Sequence, residues 1–150
     1  IIDKNYLKKQ QLNFDKSFVA SEDYNLFMKI AAFSNGMGVI NDAISNYRVY
    51  ENSLTNESIK FWSIERKETL NFLINKDPTL LSLYPREFKI AFARADYYEA
   101  RYLIKMNLRY KAIKKLLRIF YIDYKYIFFF FLILLPKAVQ EKALKFYYNR

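Results

Sequence analysis

ARYLIKMNLRYKAIKKLLRIF, residues 100–120, is the stretch whose reading decides the fold. Going upstream from Ile104, the apolar residues Ala100, Tyr97, Ala93 and Ile90 recur every three or four positions, which predicts a helix over roughly 86–106. Beyond Asn107 the same period resumes: Ala112, Ile113, Leu116 and Leu117 fall on one side of a second helix over 109–120, and Lys111, Lys114, Lys115 and Arg118 on the other. The stretch therefore reads as a helical hairpin turning at Asn107.

The spacing of this hairpin is similar to one tetratricopeptide-type repeat, with Asn107 where that family usually has Gly and Tyr124 where it usually has Pro. A single unit of that kind cannot bury its own apolar face, so neighbouring helices are expected. Upstream, Ile59, Trp62, Leu70 and Leu73 recur near helical spacing until Asp77-Pro78 stops the run. Downstream lies YIFFFFLILLP, residues 126–136, the most hydrophobic stretch of the chain. Its ten apolar residues fall short of the ~20 that span a bilayer. Extending it back to Ile119 takes in Asp123 and Lys125, each costing ~2.5–3.5 kcal/mol at a helix centre, against a gain of ~4–7 kcal/mol from the apolar residues. The segment 119–135 is therefore expected either as a core helix or as a helix lying in a membrane surface.

Composition agrees with a helical chain. Among 150 residues there are two glycines and three prolines, so tight turns are scarce, while 53% hydrophobic residues supply a core. There is no cysteine and no histidine. Disulfides, thiolate metal sites, a thiol nucleophile and imidazole chemistry are thereby excluded, and acid-base work falls to Asp, Glu, Lys or Tyr. The opening IIDKNYLKKQ has neither an initiator Met nor the pattern of a signal peptide, and reads as the start of a fragment. The net charge of +10 is uneven: residues 1–57 carry −1, and residues 58–150 carry +11. Two parts with different partners are expected, 1–57 and a basic helical region 58–150.

The first part alternates short elements. IIDKNYLKK suggests a short helix and NFDKSF a turn. In FVASEDYNLFMKIAAFSNG, residues 18–36, Ser21 is a candidate cap for a helix whose first turn holds Glu22 and Asp23, where the dipole favours carboxylates. Leu26, Phe27, Ile30, Ala31 and Phe33 would form its apolar face, and Asn35-Gly36 its stop. VINDAISNYRVY, residues 39–50, reads as one or two short strands. The expected fold class is thus mainly α with a few short strands.

The order Phe14-Asp15, Glu22-Asp23-Tyr24, Phe27-Met28-Lys29-Ile30, Asn35-Gly36, Tyr47-Arg48-Val49-Tyr50, Asn52-Ser53 resembles the C-terminal part of the catalytic domain of family 2 glycosyltransferases, inverting enzymes of the GT-A fold. The resemblance covers roughly residues 1–57. It implies that this chain holds the acceptor-side fragment of an α/β GT-A domain followed by a helical bundle. By the same resemblance Asp23 is the catalytic base, Glu22 shapes the acceptor site, and Arg48 and Tyr50 are substrate-binding. Lys29 stands where the family more often has Arg, and Tyr50 where it usually has His. The physical case for Asp23 is that a sugar hydroxyl is a poor nucleophile, so a fixed carboxylate must take its proton as the new bond forms. Arg48 suits diphosphate or an acidic partner, because a guanidinium can grip either with two parallel hydrogen bonds.

The resemblance further implies a nucleotide-sugar donor, a glycan or lipid-linked acceptor, and a divalent metal (Mg or Mn) held through an Asp-x-Asp motif upstream. This chain has no Asp-x-Asp and no Gly-rich phosphate loop, so it is expected to bind no metal and to be inactive alone. The location implied is cytoplasmic, peripheral at the inner face of the plasma membrane. The competing reading, from the charge asymmetry and the hairpin, is a non-catalytic basic helical module that binds an anionic membrane or a protein partner. Nucleic-acid binding ranks below both, since no recognised motif accompanies the basic residues.

Overall fold

The computed structural model describes residues 2–34, 36–38, 40–43, 45, 58–136 and 139, and within them the chain is mainly helical, with no strand. Helix α1, Lys4–Lys9, begins where the Asp3 carboxylate accepts the backbone N–H groups of Asn5 (2.8 Å) and Tyr6 (3.4 Å). It ends with Gln11 at φ 53°, where the Leu12 N–H reaches back to the Leu7 carbonyl. The NFDKSF turn follows, closed by Asp15, which accepts from both the N–H and the hydroxyl of Ser17. Helix α2 is Glu22–Phe33. The strands expected over 39–50 fall largely outside the described residues, and 40–43 and 45 have no regular structure.

The remaining helices are α3 (Ile59–Lys76), α4 (Thr79–Leu83), α5 (Pro85–Lys105), α6 (Arg109–Ile119) and α7 (Tyr124–Leu134). Asp77 caps the end of α3, and Pro85 opens α5 at its first position, where a missing N–H costs nothing. At the turn between α5 and α6, Asn107 takes φ 61°. The Leu108 N–H bonds the Leu103 carbonyl (2.8 Å) and the Asn107 N–H bonds that of Ile104 (2.9 Å), the paired closure of a Schellman motif. The hairpin therefore turns where its sequence predicts.

The helices pack in a row: α2 on α3, α3 on α5, α5 on α6, α6 on α7, with the short α4 bridging α3 and α5. Two cores result. Leu70, Leu73 and Phe88 form the first, joined by Met28, Ala32 and Phe33 from α2, so residues on both sides of position 57 share it. Ala93, Ala100, Ala112, Leu116, Ile119, Tyr126 and Ile133 form the second. The small alanines let α5 and α6 approach closely, and each fully buried Leu stabilises by ~1.5–3 kcal/mol.

Polar links fasten this row. Lys67 of α3 contacts Asp96 (2.6 Å) and Glu99 (3.2 Å) of α5, and Lys115 of α6 contacts Glu99 (2.8 Å). Lys115 is thus a partner of α5 rather than one of the freely solvated lysines its spacing suggests. Leu117, expected inside, is 48% exposed, and Ile119 is buried instead. The helix turns its apolar stripe toward α5, which leaves Leu117 beyond the edge of the contact. Arg109 donates to the carbonyls of Ile133 and Leu135 (2.7 Å), tying the start of α6 to the end of α7.

Helix α7 satisfies only half of its hydrophobicity internally. Tyr126, Phe129, Leu132 and Ile133 are buried, while Ile127, Phe128, Phe131, Leu134 and Leu135 face outward. Among the described residues no helix is long and apolar enough to cross a membrane.

Candidate functional site

The segment leading into α2 is held on α3 through one buried carboxylate. Glu65, on α3 and only 5% exposed, accepts the backbone N–H groups of Val19 (2.7 Å), Ala20 (3.1 Å) and Ser21 (2.8 Å) together with the Ser21 hydroxyl (2.7 Å). Ser21 stands at the N-cap position, but its side chain caps nothing in α2; it is committed to Glu65. Four charge-assisted bonds on one carboxylate fix where α2 begins. One turn further along, Asn25 donates to the Thr69 hydroxyl (2.9 Å), which in turn donates to the Glu65 carbonyl (3.0 Å). A signal for this was present: Glu65 stands four residues before Thr69 and eight before Leu73, on the inward stripe of α3.

The acidic pair sits directly after this anchor. Glu22 is half-buried and Asp23 exposed, with Asp23 accepting the Tyr24 N–H at 2.6 Å. Asp23 lies on one stripe of α2 with Phe27, Ile30 and Ser34, since residues four, seven and eleven positions on share a helix face. Those three residues line a cleft of about 590 Å³, closed on its other side by Ile2 and Tyr6 of the α1 region and by Met37. Asp23 itself does not line the cleft; it lies one turn, ~5.4 Å of helix axis, before Phe27. Of the apolar face expected for α2, Leu26 and Ile30 are buried and Phe33 packs into the first core, whereas Phe27 is 44% exposed and Ala31 is exposed. Asn25, Met28 and Ala32 join Phe33 on the packed face.

Behind the acidic pair, Tyr24 carries the guanidinium of Arg66 over its ring at 4.1 Å. Tyr98 and Trp62 complete the enclosure at 5.1 and 5.8 Å from the same carbon, and their own rings meet edge-on at 4.7 Å. Burial pushes the Tyr24 hydroxyl above its ordinary value, against the opposing pull of the Arg66 charge. The cluster locks α2 onto α3 and α5, and Lys29 adds a contact of the same kind, 4.7 Å above the Phe72 ring. Trp62, Tyr24 and Lys29 stood out in the sequence, but their meeting with Arg66, Tyr98 and Phe72 did not, because the partners are drawn from three helices.

Arg48 and Tyr50 lie outside the described residues, as do Asn35, Tyr47, Asn52 and Ser53. Among the described residues no three carboxylates converge into a group that would hold a metal ion.

No protein-family model, no curated protein and no solved structure matches the chain.

Proposed function

We propose that this chain is the acceptor-side part of an inverting glycosyltransferase, of the kind its motif order resembles, with Asp23 as general base. The observation that carries the reading is the position of Asp23: an exposed carboxylate on the stripe of α2 that runs into the cleft beside Phe27 and Ile30. An acceptor hydroxyl approaching from that cleft would be deprotonated by Asp23 as its oxygen attacks the anomeric carbon of the donor. The bond from that carbon to the nucleoside diphosphate breaks in the same step, and the configuration inverts because attack and departure occur on opposite faces. The Glu65 anchor serves this role by holding the start of α2 in one place, since a displaced base loses proton-transfer geometry.

Arg48 and Tyr50 are assigned to the substrate and Glu22 to the acceptor by the motif order. The donor-binding half, with its Asp-x-Asp and divalent metal, is assigned to sequence ahead of Ile1. The reaction is placed on the cytoplasmic side, with a glycan or lipid-linked acceptor. The test is the product's stereochemistry. The protein that carries this chain is incubated with a panel of nucleoside-diphosphate sugars and a glycan acceptor, and the anomeric configuration of the product is read by NMR. An inverted linkage supports the proposal, and a retained one, or no transfer with any donor, overturns it.

A further inference from the structure

Helix α7 is hydrophobic all round but buried on one side only. Its outward residues Ile127, Phe128, Phe131 and Leu134 form a continuous stripe, extended by Leu135 just past its end, with Phe131 61% and Leu134 52% exposed. The stripe continues onto the α6–α7 junction, since the Phe130 ring lies 5.5 Å from that of Phe131 and 6.3 Å from that of Phe120. On α6 the exposed Tyr110 and Leu117, and Tyr121 two residues past its end, fall on one side of the helix by their spacing of seven and four. Beyond them Lys111, Lys114 and Arg118 recur at three and four residues, one exposed basic stripe with no ion-pair partner among the described residues. Lys89 of α5 adds a fourth cation, 4.9 Å over the Tyr121 ring.

Aliphatic and phenyl groups, then tyrosines, then cations is the order of a bilayer read outward from its hydrocarbon to its headgroups. We propose that this α6–α7 face seats on the surface of an anionic lipid bilayer, with α7 lying in the interface and the α6 cations on the headgroups. Charge complementarity selects lipid over a second copy of the chain: a symmetric pairing through this face would bring two basic stripes of like charge together. The eleven residues of α7 cover ~16 Å, about half of a hydrocarbon core, so the helix lies along the surface instead of crossing it. The inference does not depend on the glycosyltransferase reading, because it needs neither Asp23 nor the cleft.

The test is cosedimentation of the 150-residue chain with vesicles of phosphatidylcholine and phosphatidylglycerol in equal parts, against phosphatidylcholine alone. Binding is expected to the mixed vesicles, weakening with salt. The double variant Phe131→Ser, Leu134→Ser should lose more than about tenfold in affinity, from apolar area no longer buried. Lys114→Gln and Arg118→Gln should each lose about fivefold on the mixed vesicles only. Both side-chain pairs are exposed, so unchanged helicity by circular dichroism is expected and separates binding from folding. Absence of binding to either vesicle overturns the proposal, as does binding untouched by the α7 substitutions. A concentration-dependent dimer that those substitutions abolish would assign the face to a second copy and overturn it equally.

Discussion

Glu65 and Ser21, 44 positions apart in the chain, meet through two hydrogen bonds on one carboxylate oxygen, from the Ser21 N–H at 2.8 Å and its hydroxyl at 2.7 Å. Both residues are buried, so the pair defines where α2 starts. Glu65→Ala would leave two buried Ser21 donors without an acceptor, at a cost of roughly 2–5 kcal/mol in urea unfolding. Glu65→Gln keeps one acceptor oxygen and should cost less than Glu65→Ala. Equal stability of Glu65→Ala and the parent would show that the anchor does not hold the segment.

Arg66 lies among three aromatic rings, and the cluster includes Trp62, the single tryptophan of the chain. Arg66→Lys keeps the charge but loses the planar group that stacks on Tyr24, and should destabilise by about 1–2 kcal/mol. Trp62 emission reports the loss directly: acrylamide should quench it more strongly in the variant. Unchanged quenching would mean the rings pack without the guanidinium.

Asn107 occupies the left-handed region at the α5–α6 turn. Asn107→Val places a β-branched residue there and should cost about 1–2 kcal/mol, whereas Asn107→Gly should be neutral or slightly stabilising. Thermal unfolding of the two variants side by side checks the sign of each.

Burial pushes the Glu99 carboxyl up, but hydrogen bonds from Lys115 and Lys67 outweigh it and hold the group below its ordinary 4.5. A group lowered on folding contributes stability above that ordinary value and loses it as the pH falls through the lowered one. Lys67 is the mirror case: burial lowers it, Asp96 and Glu99 more than compensate, and the stability its raised value supplies is lost only as the pH climbs past 10.5. Stability should therefore be flat between these limits as far as this network is concerned. In Glu99→Gln the acid-side loss should disappear, so its urea midpoint falls below the parent's at neutral pH and the two converge in acid. Parallel curves at all pH values would remove Glu99 from the account.

What was legible in the sequence is what the chain decides locally. The turn at Asn107, the stop at Asp77-Pro78 and the long helix from Pro85 follow from backbone preference and a 3.6-residue period, and each lies within a residue or two of its expected place. What was not legible depends on distant partners. Periodicity marked Phe27 and Leu117 as apolar but could not show that one faces a cleft and the other solvent. Ser21 reads as a helix cap, yet Glu65 claims its hydroxyl from α3. For the candidate site, the exposure of Asp23 is a structural observation, whereas its chemistry rests on the order of motifs, two of which, Tyr47-Arg48-Val49-Tyr50 and Asn52-Ser53, lie outside the described residues.

In the proposed reaction Asp23 removes the acceptor's proton. The most direct test is single-turnover sugar transfer by the protein that carries this chain, comparing Asp23→Asn with the parent at matched donor saturation. The amide fills the same space but cannot take a proton, so the rate should fall by ~10²–10⁴ while donor affinity and the unfolding midpoint stay unchanged. Transfer by Asp23→Asn at a near-parental rate would contradict the assignment.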